Sequence, residues 1–232
     1  MRRQAGLTLI EIAIVFVIIG LLLGAVLKGQ ELITSARVRN LISQQEGVKA
    51  AYFGFLDRFR TPPGDYSLAT TNIANTTANG NANGLIESAA VCGAIPACQA
   101  LEHIAVWEHL SRAGFINGSY TYAPLPETPA SVPPSPYAYV RYIQVIYDAV
   151  YGTGAGVPRH NIKTGNGIPS EILAEIDRKI DDGTPVGGVF QFSTYDGGAG
   201  GTAPTGGAAG QCYVGRTWTG PTVSNCGAAS LL

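Results

Sequence analysis

Glu11 is the residue whose position most needs a chemical account. It lies five residues after Gly6, and no further charged residue follows until Lys28. From Leu7 to Leu27 the chain is almost wholly apolar, and a helix over this stretch rises to roughly 32 Å at 1.5 Å per residue, the thickness of bilayer hydrocarbon. A carboxylate there costs about 2.5–3.5 kcal/mol at mid-bilayer and less near the interface, so such a group is normally kept for a partner or a function. Cleavage after Gly6 would create an α-amine on Leu7, a cation at the depth of Glu11 in a neighbouring copy. The two charges could then neutralise each other between subunits, or within one helix about one turn apart.

The elements that position this carboxylate read directly from the residue pattern. Arg2 and Arg3 flank the span on one side, which by the positive-inside rule puts the N-terminus in the cytoplasm and the bulk of the chain outside. Beyond Leu27, the residues Leu32, Ile33, Ala36, Leu41, Val48, Tyr52, Phe55, Leu56 and Phe59 recur at three-to-four spacing with charges between them, an amphipathic helix that continues the first. Thr61-Pro62-Pro63-Gly64 must end it, because proline cannot continue a helix and restricts the residue before it. The expected helix therefore runs from Leu7 to about Arg60.

The string Gly6-Leu7-Thr8-Leu9-Ile10-Glu11, after a short basic leader and before an apolar helix, resembles the processing site of type IV pilins and type II secretion pseudopilins. The resemblance covers about thirty residues. It implies a membrane-embedded prepilin peptidase that cuts after Gly6 and methylates Leu7, and Glu11 as the docking acid for a growing filament. It implies an inner-membrane assembly platform, the lipid bilayer, and copies of this chain and other pilins as partners. Two positions depart from the family pattern: Leu7 stands where Phe is commoner, and Lys28 stands where many members carry a helix-loosening proline. A secretory signal and a plain membrane anchor are the alternatives. The apolar core is longer than a signal's, and an anchor leaves the spacing of Glu11 from Gly6 unexplained.

Organisation follows from this as a leader 1–6, a membrane segment 7–27, an amphipathic spine 28–60 and an extracytoplasmic globular region 61–232. Charged residues make up 13% of the chain, about half the usual share, and loss of Arg2 and Arg3 moves the formal charge from −1 to −3 before the new amine is counted. No basic patch supports nucleic-acid binding. The expected fold class is α+β: the long helix packed on an antiparallel sheet, pilin-like, with short helices at Gln99–Ala113 and Glu171–Ile180. Ser170 is expected to cap the second of these, and strands are expected within Tyr137–Tyr151 and Val186–Tyr195.

Four cysteines in an exported chain are expected to pair. Three connectivities are open, and the short loops favour Cys92 with Cys98 and Cys212 with Cys226. The second pair also resembles the C-terminal loop of pilins. Catalytic constellations are thin, so no enzyme is expected: His103 and His109 fall on different helix faces and read as surface or half-buried side chains. Asn79-Gly80-Asn81-Ala82-Asn83-Gly84 has the alternation of a calcium loop, with Glu87 at the ninth position, but Ala90 at the twelfth. A polar turn without cofactor is the simpler reading. Calcium on Asn79, Asn81, Asn83 and Glu87 is the alternative, with Asp65 or the Asp181/Asp182 pair adding charge where the fold brings them close.

Overall fold

The computed structural model describes residues 9–88, 101–137, 141–198, 200–220 and 223–232. Helix α1 runs Leu9–Phe59 without interruption, as the absence of proline before Pro62 allows. Arg60 ends it in the left-handed conformation (φ 59°) usually reserved for glycine, its N–H still bonded to the Leu56 carbonyl. Contacts divide the chain into two compact units, one ending at Arg39 and one running Asn40–Leu232.

Within the second unit, α2 (Ala69–Asn72) and α3 (Glu102–Arg112) precede β1 (Gln144–Asp148) and β2 (Arg159–Lys163). Helix α4 (Ser170–Ile180), β3 (Phe190–Phe192), the β4/β5 hairpin (Tyr213–Val214, Thr217–Trp218) and β6 (Ala228–Leu231) complete it. The main sheet is antiparallel throughout, in the order β1-β2-β6-β3. Its core joins Val48, Ala51, Tyr52 and Phe55 of α1 to Ile104, Trp107 and Leu110 of α3 and to Val145 and Ile162 of the sheet. The architecture is the α+β, pilin-like arrangement expected.

Helix α3 shows why its end is where it is. Gly114, at φ 81°, sends its N–H to the Ser111 carbonyl, and Phe115 N–H returns to Leu110, the paired bonds of a Schellman cap. Phe115 is thereby delivered to Phe55, with ring centroids 5.9 Å apart, and packs where Gly54 has no side chain.

Several expected boundaries need correction. Ser170 is the first helical residue of α4 and not its cap; Pro169 holds that place, while the buried Ser170 hydroxyl donates to the carbonyls of Thr219 (2.6 Å) and Gly220 (3.0 Å). Among the described residues, the Tyr137–Tyr151 and Val186–Tyr195 runs contribute five and three strand residues. His103 and His109 are buried, where surface or half-buried positions were expected.

Both outer edges of the sheet have N–H groups bonded outside it. On β3, the outward N–H groups of Phe190 and Phe192 go to Asp181 Oδ2 (2.7 Å) and the Pro185 carbonyl (2.7 Å). On the β1 side, Ile143 and Tyr147 donate to Pro133 (3.2 Å) and Ile86 (2.8 Å). Edges closed in this way do not recruit another strand.

Candidate functional site

Gly6 and Leu7 lie outside the described residues, and so do Cys92 and Cys98. Glu11 lies in α1, two residues after Leu9, the first described residue. Around it the helix surface is apolar and open: Leu9 is 92% exposed and Phe16 69%. The most apolar 18-residue window of α1 has a mean hydropathy of 2.9 and none of it is buried within the chain. By length and composition this helix can cross a membrane, and in water its side chains would form an apolar patch far beyond what a soluble monomer carries.

The Asn79–Gly84 loop is organised by hydrogen bonds to side-chain oxygens. Asn79 Oδ1 accepts the Thr70 N–H (2.9 Å), Asn81 Oδ1 that of Asn83 (2.8 Å), and Asn83 Oδ1 that of Leu85 (2.8 Å). The amides of Asn81 and Asn83 donate to Glu87 Oε2 at 3.3 and 2.8 Å. Asp65, fully buried, takes the N–H groups of Asn83 and Gly84 on its two oxygens. The side-chain oxygens that a calcium loop would turn toward its ion each accept an N–H group here. Gly80 is required for a steric reason, since a Cβ would stand 2.2 Å from the carbonyl carbon of Asp65.

Helix α3 supplies the rest of this clamp. Glu108 accepts from Thr77 N–H (3.0 Å) and Ala78 N–H (3.2 Å). His109 receives the Gly64 N–H on Nδ1 (2.9 Å) and faces the Ala78 carbonyl with Nε2 (3.0 Å). That is the neutral tautomer, in keeping with burial, which holds its pKa below the ordinary value. Glu102 accepts the N–H groups of Asn81 (2.9 Å) and Glu87 (3.1 Å). Burial, outweighing those two bonds and reinforced by the charges of Asp65 and Glu87, pushes Glu102 up to about 7.

A carboxyl raised in this way keeps its proton in the folded chain while the unfolded chain gives it up above 4.5, so its contribution to stability is present in acid and fades as pH rises toward 7. The stability of the parent relative to Glu102→Gln should therefore fall by on the order of 2 kcal/mol between pH 4.5 and 8, read from urea denaturation at both pH values. A difference that does not change with pH would refute the assignment.

Asp177, Asp181 and Asp182 place carboxylate oxygens within 4.8 Å of one another. Asp177 accepts from the Trp218 indole (2.7 Å) and Gly183 N–H (3.1 Å), Asp181 from Val189 and Phe190, and Asp182 from Thr184. They shape the end of α4 and its turn. Cys212 and Cys226 form a disulfide. It lies beside the Ile168–Cys226 bridge and encloses the β4/β5 hairpin.

Sequence reasoning missed the buried ion pair of Lys163 with Asp148, which holds β2 to β1. It also missed the roles of Glu102, Glu108 and His109. Two acids and two histidines on one short helix, at 102, 103, 108 and 109, were the available signal.

Residues 1–27 match the family model of the prokaryotic N-terminal methylation motif. Comparisons with curated proteins and with solved structures gave no match. The chain thus carries the prepilin signature of type IV pilins and pseudopilins. The matched stretch covers 27 of the 232 residues.

Proposed function

We propose that the chain is a structural subunit of a type IV pilus-like filament, cut after Gly6, methylated on Leu7 and assembled through the apolar part of α1, with Glu11 as the docking acid. The observation that carries this reading is the methylation motif over residues 1–27, in which α1 is an exposed apolar helix that carries Glu11. The closed sheet edges support it, since they leave strand addition with little to offer. Before assembly the chain resides in a bacterial inner membrane with its N-terminus cytoplasmic and its folded unit periplasmic.

A pseudopilin of a type II secretion system uses the same motif and the same helix, so the motif favours it equally. Shearing of intact cells separates the readings. A pilus subunit is recovered in extracellular filaments, and its deletion removes them. A pseudopilin stays in the envelope, and its deletion stops export of secreted proteins. A chain found only as a membrane monomer, with neither phenotype on deletion, is an anchored binding protein.

A further inference from the structure

Between the part of α1 that begins at Ile42 and the β3/β6 end of the sheet lies a largely apolar groove of about 210 Å³, walled by Ile42, Gln45, Ile180, Val189 and Leu231. Ile180 and Val189 are 36% and 49% exposed. Gln45 is 4% exposed, and neither its amide oxygen nor its nitrogen has a hydrogen-bond partner. A buried amide without a partner costs about 1–3 kcal/mol, which a docked polar group would recover. Glu46 and Lys49, both exposed, stand on the rim of the same groove.

The apolar part of α1 carries the matching pair of charges. Lys28 and Glu31 are 68% and 67% exposed and have the same three-residue spacing in the opposite order of sign. They share a helix face with Gly20 and Gly24, where a Cβ would meet nothing within 4 Å. Small residues on such a face let another backbone approach closely.

We propose that the groove receives the Gly24–Glu31 stretch of a second copy. The two α1 helices run parallel with a stagger of about 18 residues, five turns or roughly 27 Å. Lys28 then meets Glu46 and Glu31 meets Lys49, while Gly24 lies against Ile42. The exposed Lys28–Glu31 pair within one chain is exchanged for two pairs between chains at little cost, because exposed pairs of this kind contribute about 0–1 kcal/mol. The inference rests on the filament reading and adds a register to it.

Charge reversal in the full-length chain, expressed in its host, tests this register. Lys28→Glu with Glu31→Lys, and separately Glu46→Lys with Lys49→Glu, place like charges opposite one another and should each lower the yield of crosslinked oligomers about tenfold or more. All four substitutions together should restore that yield. The Cys212–Cys226 bond, seen by non-reducing electrophoresis, monitors folding throughout. In a second arm, Leu27→Cys with Gln45→Cys should give a disulfide-linked ladder on mild oxidation. A fourfold variant as poor as the reversed pairs, or filaments that form without the ladder, would overturn the register and leave the filament reading standing. A parent chain that gives no oligomers at all would overturn both.

Discussion

Glu11→Ala should still enter the membrane, lose its leader and fold, while filaments and crosslinked oligomers fall by about a hundredfold or more, the loss expected when an interaction of roughly 3 kcal/mol disappears at every contact. Removing a carboxylate from an apolar span makes insertion easier, so a loss of assembly cannot be charged to failed insertion. Residues 40–232 form a compact unit that does not include position 11, so folding of that unit should be indifferent to the change. The expected partner is the α-amine on Leu7 of a neighbouring subunit, whose attraction offsets the desolvation of both charges. Glu11→Gln keeps shape and hydrogen bonding and separates them from charge. Blotting of membrane and sheared fractions measures both variants. Assembly of Glu11→Ala at the parent's level would remove the docking role.

Loss of the Cys212–Cys226 bond has the next largest expected effect. The pair closes a loop with a sequence separation of 14, for which chain entropy gives about 3 kcal/mol. For a domain of this size, that corresponds to a fall in Tm of about 6–12 °C. The loop also carries Trp218, whose indole N–H reaches Asp177, and Cys226, whose main chain pairs with Ile168. Double substitution to serine should therefore loosen the end of α4 as well. Thermal denaturation of Cys212→Ser with Cys226→Ser against the parent reads the shift, and an unchanged Tm would show that the bond adds nothing to the fold.

What the sequence could show depended on how each element satisfies its physics. Helix α1 was legible because apolar spacing and the lack of proline persist over 51 residues and stop at Pro62 with a local cause. Strand β2 was not, because Arg159-His160-Asn161-Ile162-Lys163 has no apolar alternation. Asp148 on β1 accepts from the Asn161 amide and pairs with buried Lys163, a partnership between strands that no local pattern reveals. Strand β6, Ala228–Leu231, has weak β propensity and is held as a strand by pairing on both sides.

The Asn79 loop was visible as a polar turn with glycines at fixed places. What the pattern could not show is that Asp65 and Glu102, brought by the fold from outside the loop, accept the N–H groups of Asn83 and Asn81. At the N-terminus the balance is reversed. The spacing of Gly6, Leu7 and Glu11 was informative from sequence alone, because the motif over residues 1–27 is a matter of local residue order and needs no fold to be recognised.

The most direct test of the account is the N-terminal peptide mass of the chain recovered from membranes or sheared filaments. The account predicts a mature start at Leu7 carrying one methyl group on its amine, with residues 1–6 absent. A chain that retains Met1, or one cut beyond the apolar helix near Gly29, would contradict it.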